Sequence, residues 1–273
     1  MQWIAYFIWG AVAVCAGVLI ISYFYLRYIA QHPPVPEGLS VADKQAQVLP
    51  FDEKRWRLLL SRTPFNDEDI ANSVTERIDW AKSVFGVDPE WFQGGDVAMF
   101  PCLSFHNAVG DSIDFIRQRL NENPQLRLYV VKPAGIVLTE SAYEASVVLC
   151  FAAPVVYAGK SAWRYWPVNV CWEWGYEPEQ MQCRQIIYVA QHSGCEVIGT
   201  ELDIADIYFL LESKLIPEPL YTISPDPTLD TPEEQWDAVA LANAGEPVPG
   251  QSESTLSAAD LQERLKLAGW NIS

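Results

Sequence analysis

One stretch at the start of the chain limits what the rest can be. From Trp3 to Leu26 the sequence runs WIAYFIWGAVAVCAGVLIISYFYL, 24 residues without Asp, Glu, Lys, Arg, His, Asn, Gln or Pro. A helix of about 20 apolar residues is long enough to cross a bilayer core. Residues 1–30 therefore read as a single transmembrane anchor. Aromatic residues sit at both ends, with Trp3, Tyr6, Phe7 and Trp9 on one side and Tyr23, Phe24, Tyr25 and Tyr28 on the other, where amphipathic rings meet the headgroup layers. Gly10, Ala13, Ala16 and Gly17 place small side chains at three- and four-residue spacing in the middle, the pattern that lets a second membrane helix come close. A cleaved signal peptide fits less well, because it needs a basic leader and a shorter apolar core, and here only Met1 and Gln2 precede the run.

Sidedness rests on few charges. Arg27 follows the run directly, and Lys44, Lys54, Arg55 and Arg57 come later, so the positive-inside tendency places the remainder of the chain in the cytoplasm. Five of the six cysteines (Cys102, Cys150, Cys171, Cys183 and Cys195) lie beyond the anchor, an odd and scattered set that suits a reducing compartment better than a disulfide framework.

Beyond residue 30 the chain divides by composition. Residues 31–50 begin with His32-Pro33-Pro34-Val35-Pro36, a stiff spacer. Residues 51–216 carry the periodic apolar patterns of an α+β domain. Residues 217–255 hold seven prolines and eight acids with no Lys or Arg, the composition of an extended acidic linker, with Thr231 to Leu241 able to form a turn or two around Trp236. Residues 256–270 form a short amphipathic helix.

Within the domain, 52–62 reads as a short helix capped by Asp52 or as a strand around Trp56 to Leu60, with helix preferred, and helices are predicted from Asn66 to Gly86, from about Asp111 to Pro124, and from Asp203 to Leu215, each from a capping residue or an apolar stripe. Between them, 126–131, 135–138, 145–157, 163–174 and 183–190 are short runs rich in Val, Ile and aromatics, which predict an antiparallel sheet. Pro154 marks a bulge or an edge in the third run. In 163–174 the even positions Trp166, Val168, Val170, Trp172 and Trp174 share one face.

The closing helix is the sharpest signal after the anchor. Ser257 with Asp260 resembles a capping box, Gly269 supplies a stop, and Leu261, Leu265 and Ala268 form an apolar stripe with Trp270 just beyond. A stripe of this kind on a tether either docks in a partner's groove or packs back on its own domain; Leu261, Leu265, Ala268 and Trp270 are thus the candidate partner-binding residues.

No motif points to a reaction. The sequence has no Gly-x-Ser-x-Gly, no His-Glu-x-x-His and no phosphate-cradling glycine loop. Cys102 and His106 offer a thiol near a base. Cys171, Cys183, His192 and Cys195 offer zinc-ligand types, but without paired Cys-x-x-Cys spacing. No cofactor or metal is expected. A net charge of −17 argues against nucleic acid, since phosphate binding needs clustered Lys and Arg. The expectation is a single-pass accessory or assembly subunit of a larger membrane complex, contacting other subunits through the anchor and the C-terminal helix. The alternatives are a membrane-tethered hydrolase-like enzyme using Cys102 and His106, and a ligand sensor using the Trp-rich strand.

Overall fold

The computed structural model describes residues 51–70, 73–138, 145–221, 236–243 and 255–270, all within a compact unit that starts at Pro50. The anchor residues Trp3, Trp9, Gly10, Ala13, Gly17 and Tyr25 and the spacer lie outside them. Among the described residues no helix is long and apolar enough to cross a membrane. They form an α+β fold in which helices flank a five-stranded sheet.

Strands β1 (Arg127–Pro133), β2 (Ser146–Tyr157), β3 (Lys160–Pro167), β4 (Trp172–Glu173) and β5 (Glu196–Leu202) make a sheet of order β3-β2-β1-β5, with β4 also paired to β2. The sheet is mixed, not antiparallel as expected, because β5 runs parallel to β1. Parallel neighbours need a crossover, and helix α4 (Glu177–His192) supplies it. The predicted strand 183–190 lies inside this helix. Cys183, Ile186, Ile187 and Ala190 follow helical spacing, but Gln182, Gln185 and Val189 are buried too, which hides the period.

The parallel pair carries its own register code. Arg127 faces Glu196 and Lys132 faces Glu201 across the ladder, and each pair forms an ion pair. Opposite charges directly across a ladder favour that pairing over a slipped one. Arg127 also lies 4.5 Å from the Trp163 ring centroid.

The long strand β2 holds the sheet together. β1 pairs with it from Val148 to Ala152, and β3 pairs from Cys150 to Tyr157 in one unbroken register. Pro154 therefore sits at an edge, not a bulge: β1 ends before it, so its missing N–H costs no ladder bond, and the Asn123 side-chain amide donates to its carbonyl at 2.7 Å. Ala158 and Gly159 join β2 to β3 with φ of 48° and 77°. The expected single strand over 163–174 is broken into β3 and β4. Cys150 pairs with Pro167 but Val147 pairs with Trp172, so five steps on one side match three on β2 and two extra residues are looped out. The expected strand at 135–138 is a turn and its continuation.

Two apolar layers enclose the sheet. On one face, α1 (Glu53–Leu60), α2 (Val74–Phe85) and α5 (Ile204–Leu211) bury Trp56, Trp80, Phe85 and Leu210 against Tyr129, Val131, Val148 and Cys150. On the other, α3 (Val109–Glu122) and α4 bury Ile113, Ile116, Ile186 and Ile187 against Leu128, Val130, Leu149 and Phe151. The alternation of β1 and β2 between the layers is the two-residue period of a strand buried on both faces.

The caps explain the helix limits. Asp52 accepts from the Lys54 and Arg55 amides and opens α1. Asn66 caps only a 3-10 turn at Asp67–Asp69, and α2 starts at a second signal, the reciprocal Ser73 and Glu76 capping box. It ends at Gly86, whose φ of 75° suits a residue without Cβ. α5 stops at Leu211, short of Leu215, where Ser213 takes φ of 53° and its carbonyl accepts from the Met99 and Phe100 amides.

The acidic stretch after 216 is not wholly extended. Helix α6 (Glu218–Tyr221) buries Leu220, and α7 (Ala238–Asn243) packs Ala238 and Ala242 into the second layer. Gly199 in β5 permits that approach: a Cβ there would stand 2.0 Å from the Trp236 carbonyl oxygen. Helix α8 (Ala258–Leu267) starts at Ser257, whose hydroxyl accepts from the Asp260 amide.

Candidate interaction surface

The chemistry-bearing residues singled out in the sequence do not converge. Cys102 and His106 are both exposed, on the loop that leads into α3, and among the described residues no hydrogen bond joins them. Cys183 and Cys195 are buried and Cys171 half-buried, and burial pushes all three thiols up from their ordinary range. His192 stacks on Tyr188 at 3.9 Å with Nδ1 2.9 Å from the Tyr188 carbonyl. Among the described residues no three His, Cys, Asp or Glu side chains are grouped as a metal site would require.

The Trp-rich stretch is interior. Val168, Val170, Trp172 and Trp174 are buried in the second layer, and the even insertion after β3 keeps them on the same face as Trp166. Trp166 alone reaches the surface, between the Arg119 and Arg164 guanidinium groups at 5.4 and 5.1 Å from its ring centroid. One small cleft of about 30 Å³, lined by Leu59, Arg62, Met99, Trp163, Tyr165 and Tyr221, has room for roughly two water molecules. Arg62 lies 5.0 Å from the Tyr221 ring centroid and donates to the Ile216 carbonyl; burial lowers its pKa.

The C-terminal stripe is occupied by its own domain. Leu261 and Leu265 are 2% and 0% exposed within the second layer, and Ala268 and Trp270 pack against it. Of the two uses expected for this helix, the structure displays the one in which it folds back.

A different apolar surface is open. β1 and β5 end side by side, with the Ala134 amide donating to the Leu202 carbonyl, and the chain after each strand carries exposed apolar side chains. Val137 and Ile204 are each 75% exposed, Tyr208 53%, Phe209 42% and Ile136 37%. Ile204 and Tyr208 are one turn apart on α5, whose opposite side buries Ile207 and Leu210. Ile204, Tyr208 and Phe209 are neighbours on α5, and adjacent exposed apolar groups mark contact surfaces more often than single exposed side chains do. The acids Asp203 and Asp206 lie on the same helix start. One signal for this surface was present in the sequence: IADIYFLL is apolar nearly all round, more than a helix needs to cover one face of a sheet.

No protein-family model matches the chain, and no curated protein or solved structure shows detectable similarity to it.

Proposed function

We propose that this chain is a single-pass, membrane-anchored accessory or assembly subunit whose domain works by protein contact on the cytoplasmic side. The observation that carries the reading is the exposed apolar pair Ile204 and Tyr208, one turn apart on α5, on a chain of net charge −17. An apolar centre with Asp203 and Asp206 beside it suits a partner surface that is apolar in the middle and basic at the rim, where charge guides encounter and apolar area supplies affinity. The run from Trp3 to Leu26 supports the anchor, with Gly10, Ala13 and Gly17 available to a neighbouring membrane helix.

Crosslinking and mass spectrometry on native membranes tests this directly. The expected result is crosslinks from Lys214, which follows α5 and is partly exposed, to a second protein, and their loss in Ile204→Asp/Tyr208→Asp. Purification of a monomer without crosslinked neighbours overturns the reading. Sidedness is checked separately at the exposed Cys102 thiol. A membrane-impermeant maleimide should label it only after the membrane is opened; labelling in intact cells overturns the cytoplasmic placement.

A further inference from the structure

Arg62 is a cation with little to answer it. It stands just past the end of α1, half-buried, and a guanidinium carries five N–H donors. Among the described residues it uses Nη1 on the Ile216 carbonyl, lies 5.0 Å from the Tyr221 ring centroid and forms no ion pair. Glu218 and Asp206 act on it only from beyond ion-pair distance, and burial, the largest influence, holds its pKa below the usual arginine value. A charge taken out of water is costly unless an opposite charge meets it.

The same arginine borders the cleft of about 30 Å³, whose walls are Leu59, Met99, Phe100, Trp163 and Ile216. The Tyr165 and Thr63 hydroxyls that also line it are engaged elsewhere, on the Leu220 carbonyl at 2.9 Å and the Leu60 carbonyl at 3.1 Å. A trapped water wants about three hydrogen bonds, and this space offers it few. The result is an apolar recess with one underused cation at its side, the combination by which a protein holds a small molecule that is apolar at one end and anionic at the other.

We propose that the cleft binds a short-chain aliphatic monocarboxylate, its carboxylate on the Arg62 guanidinium and its tail among Leu59, Met99 and Trp163. Three features select that class. The planar guanidinium fork matches a carboxylate edge to edge. A single cation on which Glu218 and Asp206 already act suits one negative charge and disfavours a dianion such as a phosphate monoester. Room for roughly two water molecules accepts a tail of about two to four carbons, and a longer chain has to push the wall aside.

The test uses the full chain in lipid nanodiscs with its methionine methyl groups labelled with carbon-13. The sequence has three methionines, Met1, Met99 and Met181, of which Met99 lines the cleft, and Met181→Leu completes the assignment. Sodium butyrate should shift the Met99 signal saturably in the millimolar range and leave Met181 in place, while sodium chloride of equal strength should move neither. Butyramide, of the same shape without the charge, should bind at least tenfold more weakly. Arg62→Gln should remove that preference, and Ile216→Phe, which fills the recess and keeps the arginine, should abolish both shifts. Hydrogen exchange in β1 and β2 shows whether each variant keeps its fold; where one does not, the comparison of butyrate with butyramide on the unsubstituted chain decides. No shift of Met99 with butyrate, the same shift with chloride, or equal binding of butyramide overturns the proposal. Affinity that climbs steadily from acetate to octanoate, with no optimum near butyrate, overturns it too, because the recess then sets no length. None of these outcomes bears on whether other proteins crosslink to the Ile204 surface.

Discussion

Replacing Gly199 by Ala should loosen the segment 236–243 without unravelling the sheet. The added Cβ would lie 2.0 Å from the Trp236 carbonyl oxygen and 3.0 Å from its carbonyl carbon and ring Cδ2, the first of these roughly 1.5 Å inside a comfortable contact. Backbone cannot swing aside as a side-chain tip can, so either β5 and the segment both strain or the segment lifts. Strain of this kind costs about 1–3 kcal/mol. Lifting forfeits the bond from Trp236 Nε1 to the Thr200 carbonyl at 3.0 Å, worth about 0.5–1.5 kcal/mol, and the Lys132 ammonium 5.7 Å from the Trp236 ring, worth about 0.5–1 kcal/mol. It also uncovers Ala238 and Ala242, at about 0.8 kcal/mol each. The freed chain recovers conformational entropy, and Ala is better than Gly in a strand by about 0.5–1 kcal/mol. The balance is a net loss of about 1–2 kcal/mol. Urea unfolding should show a lower midpoint with little change in slope, and hydrogen exchange should quicken in 236–243 more than in β1. A variant as stable as the parent, with exchange in 236–243 unchanged, would refute the idea that close backbone approach is what Gly199 provides.

Other outcomes follow from single features. In the two-residue turn, Ala158 takes φ of 48° without the side-chain chemistry that eases it, so Ala158→Asn should stabilise by about 0.5–1 kcal/mol in thermal unfolding. Ser73→Ala removes half of a reciprocal cap and should cost about 1 kcal/mol, with faster exchange confined to the first turn of α2. Among the described cysteines, native alkylation should modify Cys102 first, while Cys150, Cys183 and Cys195, buried and with thiols pushed up by that burial, should react only on unfolding, as peptide mapping will show. Stability should fall at both ends of the pH scale. Asp69, held low first by its bond from Lys160, and Glu201, held low first by Lys132, stabilise the fold above the ordinary carboxylate range and stop doing so as pH falls through their lowered values, below about 4. The buried thiols and Tyr129, raised to about 12 by burial, withhold ionisation that the unfolded chain undergoes, so stability drops as pH rises past about 8.5. Flat stability from pH 3 to 11 would contradict both arms.

Legibility in the sequence tracked how one-sided each element is. Ser257 with Leu261 and Leu265 is a cap and stripe that the chain spells out locally, and α8 starts where that signal stands, whereas the short apolar run after Asp52 fitted a helix or a strand and only its cap pointed to α1. The limit of α2 was misread because two capping signals, at Asn66 and at Ser73, follow each other within a few residues. α4 was mistaken for a strand because packing on several sides erased its polar face, although Pro178 in its first turn announces a helix start. β5 went unseen because Glu196, Gly199 and Glu201 interrupt its apolar pattern; those residues are spent on ion pairs and on close approach, which are long-range facts. With α4 and β5 misread, the parallel pairing had no crossover to suggest it. The exposed side of α5 at Ile204 and Tyr208 was legible locally, in a helix that is apolar nearly all round.

The two residues looped out between β3 and β4 have a consequence for how this molecule can change length. Side chains in a strand point to opposite sides in turn, so losing both extra residues would leave Trp172 and Trp174 aimed at the same interior, while losing or gaining just one would rotate both rings out to the opposite layer. Variation at this point is therefore permitted in even steps and forbidden in odd ones, an arithmetic constraint that a library of insertions and deletions across residues 168–171 would expose as alternating survival.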